Sequence, residues 1–223
     1  MTISPDAKIF KTAVVEDGAT VGAGTGVWHC VHVQSGAVVG ERCVLGQNVM
    51  IAGGARLGNN VKVQNNVAVY AGVTVEDDVF LGPSCVLTNV SNPRSSVSRK
   101  AMFEETLIKR GATVGANATI VCGVTIGRHA MIAAGAVVTR AVPDYGLIVG
   151  VPGKPLGYVT RHGHRIDPAP GEVVACPETK LRYTLNDASE LRCLDLDEDA
   201  PMPDDLATGI TPYRELNPRK SPS

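Results

Sequence analysis

Aliphatic residues recur at every sixth position along most of this chain. The series runs without a slip from Ile9 to Leu87, stops, and resumes from Ile108 to Val138. Two positions before each member stands a small or β-branched residue, such as Ala19. A period of six fits neither the 3.6-residue period of a helix nor the alternation of a meandering strand. It predicts an all-β parallel β-helix, in which each short strand buries its apolar side only by stacking on the next coil.

The same period divides the chain into regions. Three hexads make one triangular coil, so residues three hexads apart should stack in columns. Because the interval from Leu87 to Ile108 is no multiple of six, residues 88–107 are predicted to form a loop ejected from the solenoid. We therefore expect a β-helix domain over 1–159, closed by a proline-rich segment, a small irregular cap over 160–193, and an acidic, flexible tail over 194–223.

The composition of the chain disfavours some classes of binding partner. The 21 basic and 22 acidic residues give a net charge of -1, which disfavours a nucleic-acid-binding surface. No apolar run approaches membrane-spanning length and no signal-like segment begins the chain, so a cytoplasmic protein without membrane contact is expected. Cys43 and Cys85 fall on small inward positions, where a reduced cysteine acts as a buried hydrophobe.

Most corners between strands begin with glycine, and one corner is polar instead. At Gly22, Gly40, Gly58 and Gly127 a tight turn is expected to favour glycine. Stacking at intervals of one coil builds the polar columns from His29, Gln47, Asn65 and Pro83, then Cys30, Asn48, Asn66 and Ser84, and on the following side Gln34, Ala52, Tyr70 and Thr88. These columns are expected to line one edge of the prism, directly under the ejected loop.

Two interpretations of the polar columns stay open. Amides can form a ladder that satisfies turn backbones. They can also bind a ligand rich in hydroxyl, amide and phosphate groups, which the excess of amides over one per coil favours. Arg94, in the ejected loop, would pair with a carboxylate or phosphate of that ligand. The candidate substrate-binding residues are Gln47, Asn48, Asn65, Asn66, Tyr70 and Arg94.

The histidines give little indication of a general base or of a metal site. His29 and His32 could serve as a general base or could simply hydrogen-bond the polar columns, and no histidine–carboxylate pair is evident. His129 is expected to be solvated at an ordinary turn. The remaining candidates lack the spacing of a zinc site, so no metal is expected; they are His162, His164, Cys176 and Cys193.

The hexad array, the ejected loop and the closing string GVPGKP together resemble the left-handed β-helix acyltransferases that use acetyl-CoA. The strings GVWHCVHVQSGA, VKVQNNVAVY and VEDDVFLGPSCVLTNVSNPR are similar to bacterial N-acetyltransferases acting on UDP-2-acetamido-3-amino-2,3-dideoxyglucuronic acid, for lipopolysaccharide O-antigens. The resemblance covers roughly residues 5–193. It implies a left-handed coil, acetyl-CoA as co-substrate, a nucleotide-linked amino sugar as substrate, and a homotrimer with intersubunit active sites.

The resemblance also implies residue roles. Asn89, in the segment TNVSNPR, would lie beside the reacting amine and orient it; the alternative is that Asn89 caps the start of the loop. Asparagine is no general base, and the departing thiolate can accept the proton, so Asn89 with a contribution from His29 forms the candidate catalytic set. Candidates for acetyl-CoA are the small residues Ala116, Ala133, Ala134 and Gly135 for the pantetheine arm, and Thr139, Arg140 and Lys154 for the phosphates.

Other functions remain as alternatives. Within the same class, the substrate could be a dTDP-3-amino-3,6-dideoxyhexose or a sugar hydroxyl. A β-helix carbonic anhydrase would need a three-histidine zinc site, which the positions of the five histidines suit poorly. A non-catalytic scaffold would have no use for the ejected loop or the GVPGKP closure, so these two features favour an enzyme.

Overall fold

The computed structural model describes residues 2–216, and in this range the chain is a parallel β-solenoid followed by a small antiparallel cap. Three flat faces run along the solenoid. The strands of the first face are β1 (Thr2–Ile3), β4 (Thr20–Val21), β7 (Val38–Val39), β10 (Arg56–Leu57), β13 (Val73–Val75), β16 (Thr106–Ile108) and β19 (Thr125–Ile126). Those of the second face are β2 (Lys8–Ile9), β5 (Gly26–Val27), β8 (Val44–Leu45), β11 (Lys62–Val63), β14 (Phe80–Leu81), β17 (Thr113–Val114), β20 (Met131–Ile132), β22 (Gly146–Val149), β23 (Lys154–Val159) and β24 (Arg165–Ile166).

The third face consists of two separate sheets. The first holds β3 (Val14–Val15), β6 (His32–Val33), β9 (Met50–Ile51) and β12 (Ala68–Val69), and the second holds β15 (Val86–Leu87), β18 (Thr119–Ile120) and β21 (Val137–Val138). The hydrogen-bonded ladder is interrupted between β12 and β15, in the coil from which the loop leaves. The predicted all-β solenoid is confirmed; its left hand stays an expectation from the resemblance.

The register confirms the predicted columns. Lys62 pairs with Val44 on one side and Phe80 on the other, three hexads away in each direction. Across the insertion Phe80 pairs with Thr113, so the extra residues are passed over without any loss of register. Because β16 already begins at Thr106, the ejected loop spans 88–105, and its predicted end at 107 is too late.

The core is the predicted column of inward aliphatic side chains. Val61 and Val63 are fully buried, and Cys43 and Cys85 fill the small inward positions as expected. Burial raises the pKa of the Cys85 thiol to about 12, so it is an inert thiol at neutral pH. Ile9, at the start of the series, remains 37% exposed, because β2 is an edge strand that pairs with β5 alone among the described residues.

Glycine at the start of a corner has a different role from the one predicted. Gly40 has no left-handed φ; instead, a Cβ there would lie 2.4 Å from the carbonyl oxygen of Gly58 in the next coil. The same holds for Gly22, Gly58 and Gly127, whose Cβ positions are occupied by neighbouring backbone or by an Asp77 oxygen. These glycines are required by close stacking of the coils, and the left-handed turn residue comes two positions later, as at Asn60 or Gly24.

The cap is more regular than predicted. After the cis peptide bond Val151–Pro152, β23 returns antiparallel to β22. A three-stranded antiparallel sheet follows, made of β25 (Val173–Ala175), β26 (Arg182–Leu185) and β27 (Leu191–Cys193), and a short helix α1 (Tyr213–Leu216) comes last. This sheet covers its own apolar core around Tyr145, Tyr183 and Leu191. The described part of the chain contains no helix that could span a lipid bilayer.

Part of the segment expected to be a flexible tail packs against the solenoid. Asp199 pairs with Arg128 at 3.0 Å, and Glu198 accepts a hydrogen bond from the Tyr145 hydroxyl. Acidic residues of this segment therefore neutralise and cover basic and polar groups of the last coils. Residues 217–223 of the expected tail lie outside the described range, and the domain boundaries stay predictions.

Candidate acetyl-transfer site

Three edges separate the faces, and most of the predicted site residues fall on two of them. We call the corner between the first and second faces the first edge, the next the second edge, and the corner between the third and first faces the third edge. The amide columns lie on the second edge, where Asn66 N donates to Gln47 O at 3.0 Å and Ser84 N to Asn65 O at 3.0 Å. The predicted stacking of His29, Gln47, Asn65 and Pro83 is thus confirmed.

The amides are partly a structural ladder. Asn65 Oδ1 accepts the backbone N–H of Gln47 at 2.9 Å, and Asn48 Nδ2 donates to Asn66 Oδ1 at 3.1 Å. These bonds use the oxygens of Asn65 and Asn66 and leave the Gln47 side chain and Asn65 Nδ2 without a hydrogen-bond partner among residues 2–216. All four side chains are exposed, so the ladder still presents amide groups to a ligand.

The small residues predicted for acetyl-CoA continue the same second edge. Asn117 N donates to Pro83 O at 3.0 Å, and Gly135 N donates to Ala116 O at 2.9 Å, which places Ala116, Ala133, Ala134 and Gly135 beyond the amides along the edge. A Cβ on Gly135 would meet no atom within 4 Å. The second edge is therefore polar in the coils of β9 and β12 and small and open in the coils of β18 and β21.

Asn89, Tyr70, Thr139 and Arg140 lie on the third edge, where the loop leaves, whereas Lys154 is the exposed first residue of β23. The loop base is closed by Glu104 N donating to Asn89 O at 3.0 Å. The Asn89 side chain is half-buried and makes no hydrogen bond within residues 2–216, so the alternative role of capping the loop with its amide finds no support. A free amide at this position keeps its oxygen available to a substrate amine.

The loop is anchored by a serine–carboxylate contact. The Ser91 hydroxyl donates to the Glu104 carboxylate, and this bond lowers the pKa of Glu104. Cys122 N also donates to Thr88 Oγ1 at 2.9 Å. Charged Glu104 is thus committed to the loop base.

Arg94 is exposed, and among residues 2–216 its guanidinium donates only to the carbonyl of Pro93, at 3.3 Å. The loop was expected directly above the amide columns, but it leaves from the third edge while the amides occupy the second. The third face therefore separates the base of the loop from the amides of its own chain. The edge from which the loop leaves depends on where the insertion interrupts the coil. The stacking of residues one coil apart does not predict it.

The two N-terminal histidines differ in their partners. His29 Nδ1 is 3.0 Å from the Thr12 hydroxyl, and no carboxylate contacts its ring among the described residues. His32 Nε2, in contrast, lies 2.6 Å from Glu16 Oε1, so the expectation that no histidine–carboxylate pair exists is wrong. The pKa of Glu16 is lowered by the hydrogen bond from Ser35 N and by the bond to His32. The spacing of Glu16 and His32, slightly short of one coil, is the signal that sequence reasoning missed.

The axial spacing decides which residues can act together. Stacked strands lie about 4.8 Å apart, so three steps from β6 to β15 separate His32 from the Asn89 coil by about 14 Å. One step separates the Asn89 coil from that of Ala116, since β15 pairs directly with β18. Along the solenoid axis, the Asn89 coil is therefore close to the coil of Ala116 and the His32 coil is not, although Asn89 itself lies on the third edge and Ala116 on the second.

A cavity of about 610 Å³ lies elsewhere, between the first edge and residues 200–207, and none of the predicted site residues lines it. His129 lines this cavity and was expected to be solvated; instead, burial lowers its pKa to about 4 and its ring stacks on Tyr145 at 5.0 Å. Residues of the segment after 193 line the same cavity, and this folded-back segment is the physical reason why His129 is buried.

The four residues considered as a zinc set do not come together in the described part of the chain. Instead, His162 and His164 meet Glu178, with ligand atoms within 4.8 Å of one another.

Models of known protein families match the solenoid part of the chain. The family model described as bacterial transferase hexapeptide (six repeats) matches residues 54–89 and 105–140, and the hexapeptide repeat of succinyl-transferase matches residues 36–71. The chain therefore carries bacterial transferase hexapeptide repeats in its solenoid. The gap between the matched blocks coincides with the ejected loop.

A curated relative narrows the resemblance. The dTDP-3-amino-3,6-dideoxy-alpha-D-galactopyranose 3-N-acetyltransferase of Aneurinibacillus thermoaerophilus is 37% identical over 89 residues, which cover 40% of this chain and 46% of that protein. The chain thus matches less than half the length of this relative. The expected resemblance to the β-helix acetyltransferases is confirmed.

Two solved structures are also similar. The hexapeptide-repeat containing acetyltransferase of Vibrio cholerae O1 biovar eltor, complexed with acetyl coenzyme A, is 27% identical, covers 56% of this chain and 72% of its own, and has a TM-score of 0.48. A mutant GDP-perosamine N-acetyl transferase of Caulobacter crescentus, in complex with CoA and GDP-perosamine, is 23% identical, covers 68% and 56% respectively, and has a TM-score of 0.44.

Proposed function

We propose that this chain transfers an acetyl group from acetyl-CoA to the 3-amino group of a nucleotide-linked amino sugar. The observation that carries the proposal is the order of residues along the solenoid. Amides occupy the coils of β9 and β12, small residues occupy those of β18 and β21, and Asn89 follows β15 between them. A sugar nucleotide and a thioester bound on these two stretches of the second edge would meet at the axial level of Asn89.

The chemistry needs a neutral amine held close to the thioester. The amine nitrogen forms a bond to the acetyl carbon, the carbon–sulfur bond breaks, and the amine proton leaves with the CoA thiolate or to solvent. Asn89 Oδ1 would accept an N–H of the attacking amine and orient its lone pair. Ala116, Ala133, Ala134 and Gly135 fit a pantetheine arm because they leave the edge open, and Thr139, Arg140 and Lys154 would contact the phosphates.

A homotrimer would complete the site, because the candidates lie on both sides of the third face. The outward residues of that face include no Asp, Glu, Lys or Arg, and Val14 and Val86 remain 55% and 47% exposed. If three chains turn this face towards a threefold axis, the second edge of each chain meets the third edge of its neighbour. Arg94 of one chain would then approach the amides of the next.

The proposed sugar is UDP-2-acetamido-3-amino-2,3-dideoxyglucuronic acid, on the route to O-antigen sugars. Arg94 supports an anionic sugar, because an exposed guanidinium that has no acidic partner in the described part of the chain suits a carboxylate. The second candidate is a dTDP-3-amino-3,6-dideoxyhexose, which the name of the curated relative favours.

The test is a panel of nucleotide 3-amino sugars with acetyl-CoA, followed by release of free thiol. We expect the highest kcat/KM with the UDP-linked 3-amino uronate. Arg94→Ala should raise KM for that sugar while leaving KM for acetyl-CoA and for neutral sugars nearly unchanged; Lys100→Ala is the control for loss of loop charge. A preference for the dTDP sugar would select the second candidate, and no thiol release with any amine would refute acetyl transfer.

A further inference from the structure

Two turns of the cap face each other and carry three metal-binding side chains. The turn between β23 and β24 contains His162 and His164 on either side of Gly163, whose φ of +79° lets the chain reverse there. Both rings project to the same side, with centroids 6.3 Å apart and planes inclined by 19°. The turn between β25 and β26 contributes Glu178 from the opposite side.

The three side chains converge on one carboxylate oxygen. Glu178 Oε2 is 3.0 Å from His162 Nδ1 and 2.8 Å from His164 Nε2. The side chains of His162, His164 and Glu178 are only 12%, 2% and 8% exposed. Two imidazoles and one carboxylate form a donor set that suits Zn²⁺ and related divalent metals.

The surroundings match those of a metal site. His162 Nε2 lies 2.6 Å from Leu206 O, and Glu178 Oε1 accepts the N–H groups of Ile210 at 2.8 Å and Thr211 at 3.3 Å. Metal-bound histidines commonly donate their second N–H to a carbonyl, and ligating carboxylates are themselves hydrogen-bonded. A cavity of about 340 Å³ opens on the same three side chains and leaves room for a water ligand.

The positions of the ligand atoms point the same way. Both nitrogens of His162 face oxygen atoms, Glu178 Oε2 and Leu206 O. A metal ion can lie between His162 Nδ1 and Glu178 Oε2 while His162 Nε2 still faces the Leu206 carbonyl. Tetrahedral bonds of about 2.0–2.2 Å put ligand atoms roughly 3.3–3.5 Å apart, so each histidine nitrogen needs to move only about 0.5 Å away from Glu178 Oε2. All three ligand atoms already lie within 4.8 Å of one another.

We propose that His162, His164 and Glu178 bind one divalent metal ion of the zinc class, with water in the fourth position. The ion is structural: it joins the two cap turns and, through the bonds to Leu206, Ile210 and Thr211, holds the segment before α1 on the cap. The site is independent of the proposed acetyl transfer, whose residues lie on the solenoid edges. The proposal departs from the expectation of no metal, which weighed His162 and His164 together with Cys176 and Cys193 by their spacing and did not include Glu178.

The test uses the full chain with Cys30→Ser, to remove the exposed thiol, after treatment with EDTA. Zn²⁺ uptake is titrated against a chromogenic chelator, and bound zinc is counted by elemental analysis. We expect one saturable zinc per chain, a Tm that rises with zinc concentration, and tetrahedral absorption bands when Co²⁺ replaces zinc. Glu178→Gln and His162→Gln should weaken binding on the order of 100-fold or more.

The control is His32→Gln, the same change in the other histidine–carboxylate pair, which should keep its zinc. Glu178→Gln preserves an oxygen for the backbone N–H groups of Ile210 and Thr211, and circular dichroism checks its fold. If it does not fold, the zinc stoichiometry and Co²⁺ spectrum of the otherwise native chain decide alone. No saturable uptake below about 100 μM, uptake retained in both cap variants, or a Co²⁺ spectrum without tetrahedral bands would overturn the proposal.

Discussion

The solenoid and the cap reach stability by opposite means. The solenoid repeats one contact: inward valine, leucine and isoleucine side chains under a continuous backbone ladder, with Thr25 and Thr106 among its few buried polar residues. The cap is held by contacts that differ from one another and involve charged side chains. One of these is Arg161, whose side chain is 2% exposed and donates hydrogen bonds to the carbonyls of Asp197 and Ala200. A repeated contact tolerates variation at the edges, where ligands can bind, whereas the cap depends on each specific pair.

The largest effect expected is disruption of the repeated core. Val63→Asp or Ile126→Asp places an unpaired carboxylate in a fully buried position and should cost more than about 4 kcal/mol, enough to abolish soluble expression. Thr74→Asp, on the exposed side of β13, is the control and should express normally. A soluble Val63→Asp protein with an unchanged melting curve would show that the inward assignment is wrong.

Close stacking of the coils can be tested at glycine. Gly40→Ala forces a Cβ against the backbone of Gly58 and should cost about 3 kcal/mol, since neither backbone can move without disturbing the ladder. Gly54→Ala has open space, its nearest neighbour being 3.9 Å away, and should cost only the left-handed strain of about 1–2 kcal/mol. The measurement is Tm for both variants, and a larger loss for Gly54→Ala would contradict the stacking role.

If chemistry belongs to the solenoid edges and not to the cap, Asn89→Ala should lower turnover about 10²-fold, the scale of losing a preorganised polar contact. His29→Ala and His32→Ala should cost less, mainly through KM, since His32 is about 14 Å from the Asn89 coil. Arg182→Gln, which breaks an exposed cap ion pair with Asp195, should leave turnover unchanged. A dead His32→Ala protein beside a near-normal Asn89→Ala protein would establish a histidine base.

The smallest effect concerns the junction of solenoid and cap. Burial first, and then the charge of Arg161, lowers the pKa of His129 to about 4, against 6.5 in the unfolded chain. As pH falls from 6.5 towards 4, His129 binds a proton in the unfolded state but not in the folded state. The free energy of unfolding therefore decreases in that pH range. We expect a loss of about 2 kcal/mol between about pH 7.5 and pH 5.

His129→Asn removes this titration and tolerates the left-handed φ of 53°. Its urea-unfolding free energy should therefore change less between the two pH values than that of the native chain. An identical pH dependence for both proteins would mean that His129 is not buried as the structure has it.

The accuracy of the sequence interpretation differs between these regions for a physical reason. The columns of His29, Gln47 and Asn65 were predictable because each hexad repeats the environment of the hexad one coil earlier. Glu16 and His32 were not paired in advance, because their spacing joins a corner to a neighbouring strand and falls short of a full coil. Glu178 escaped notice because its histidine partners lie across a sheet without any period.

By itself, the sequence determined the coil register, the inward side chains and the presence of an insertion after Leu87, since a local period sets which side of a strand faces the core. Only the tertiary structure decided that the loop leaves from the third edge and ends at residue 105, that the segment 200–207 lines a cavity with His129, and that two cap turns meet at Glu178. These outcomes depend on how the turns outside the repeat fold back over the solenoid. No local sequence pattern predicts this folding back, because the contacts form between segments that share no common period.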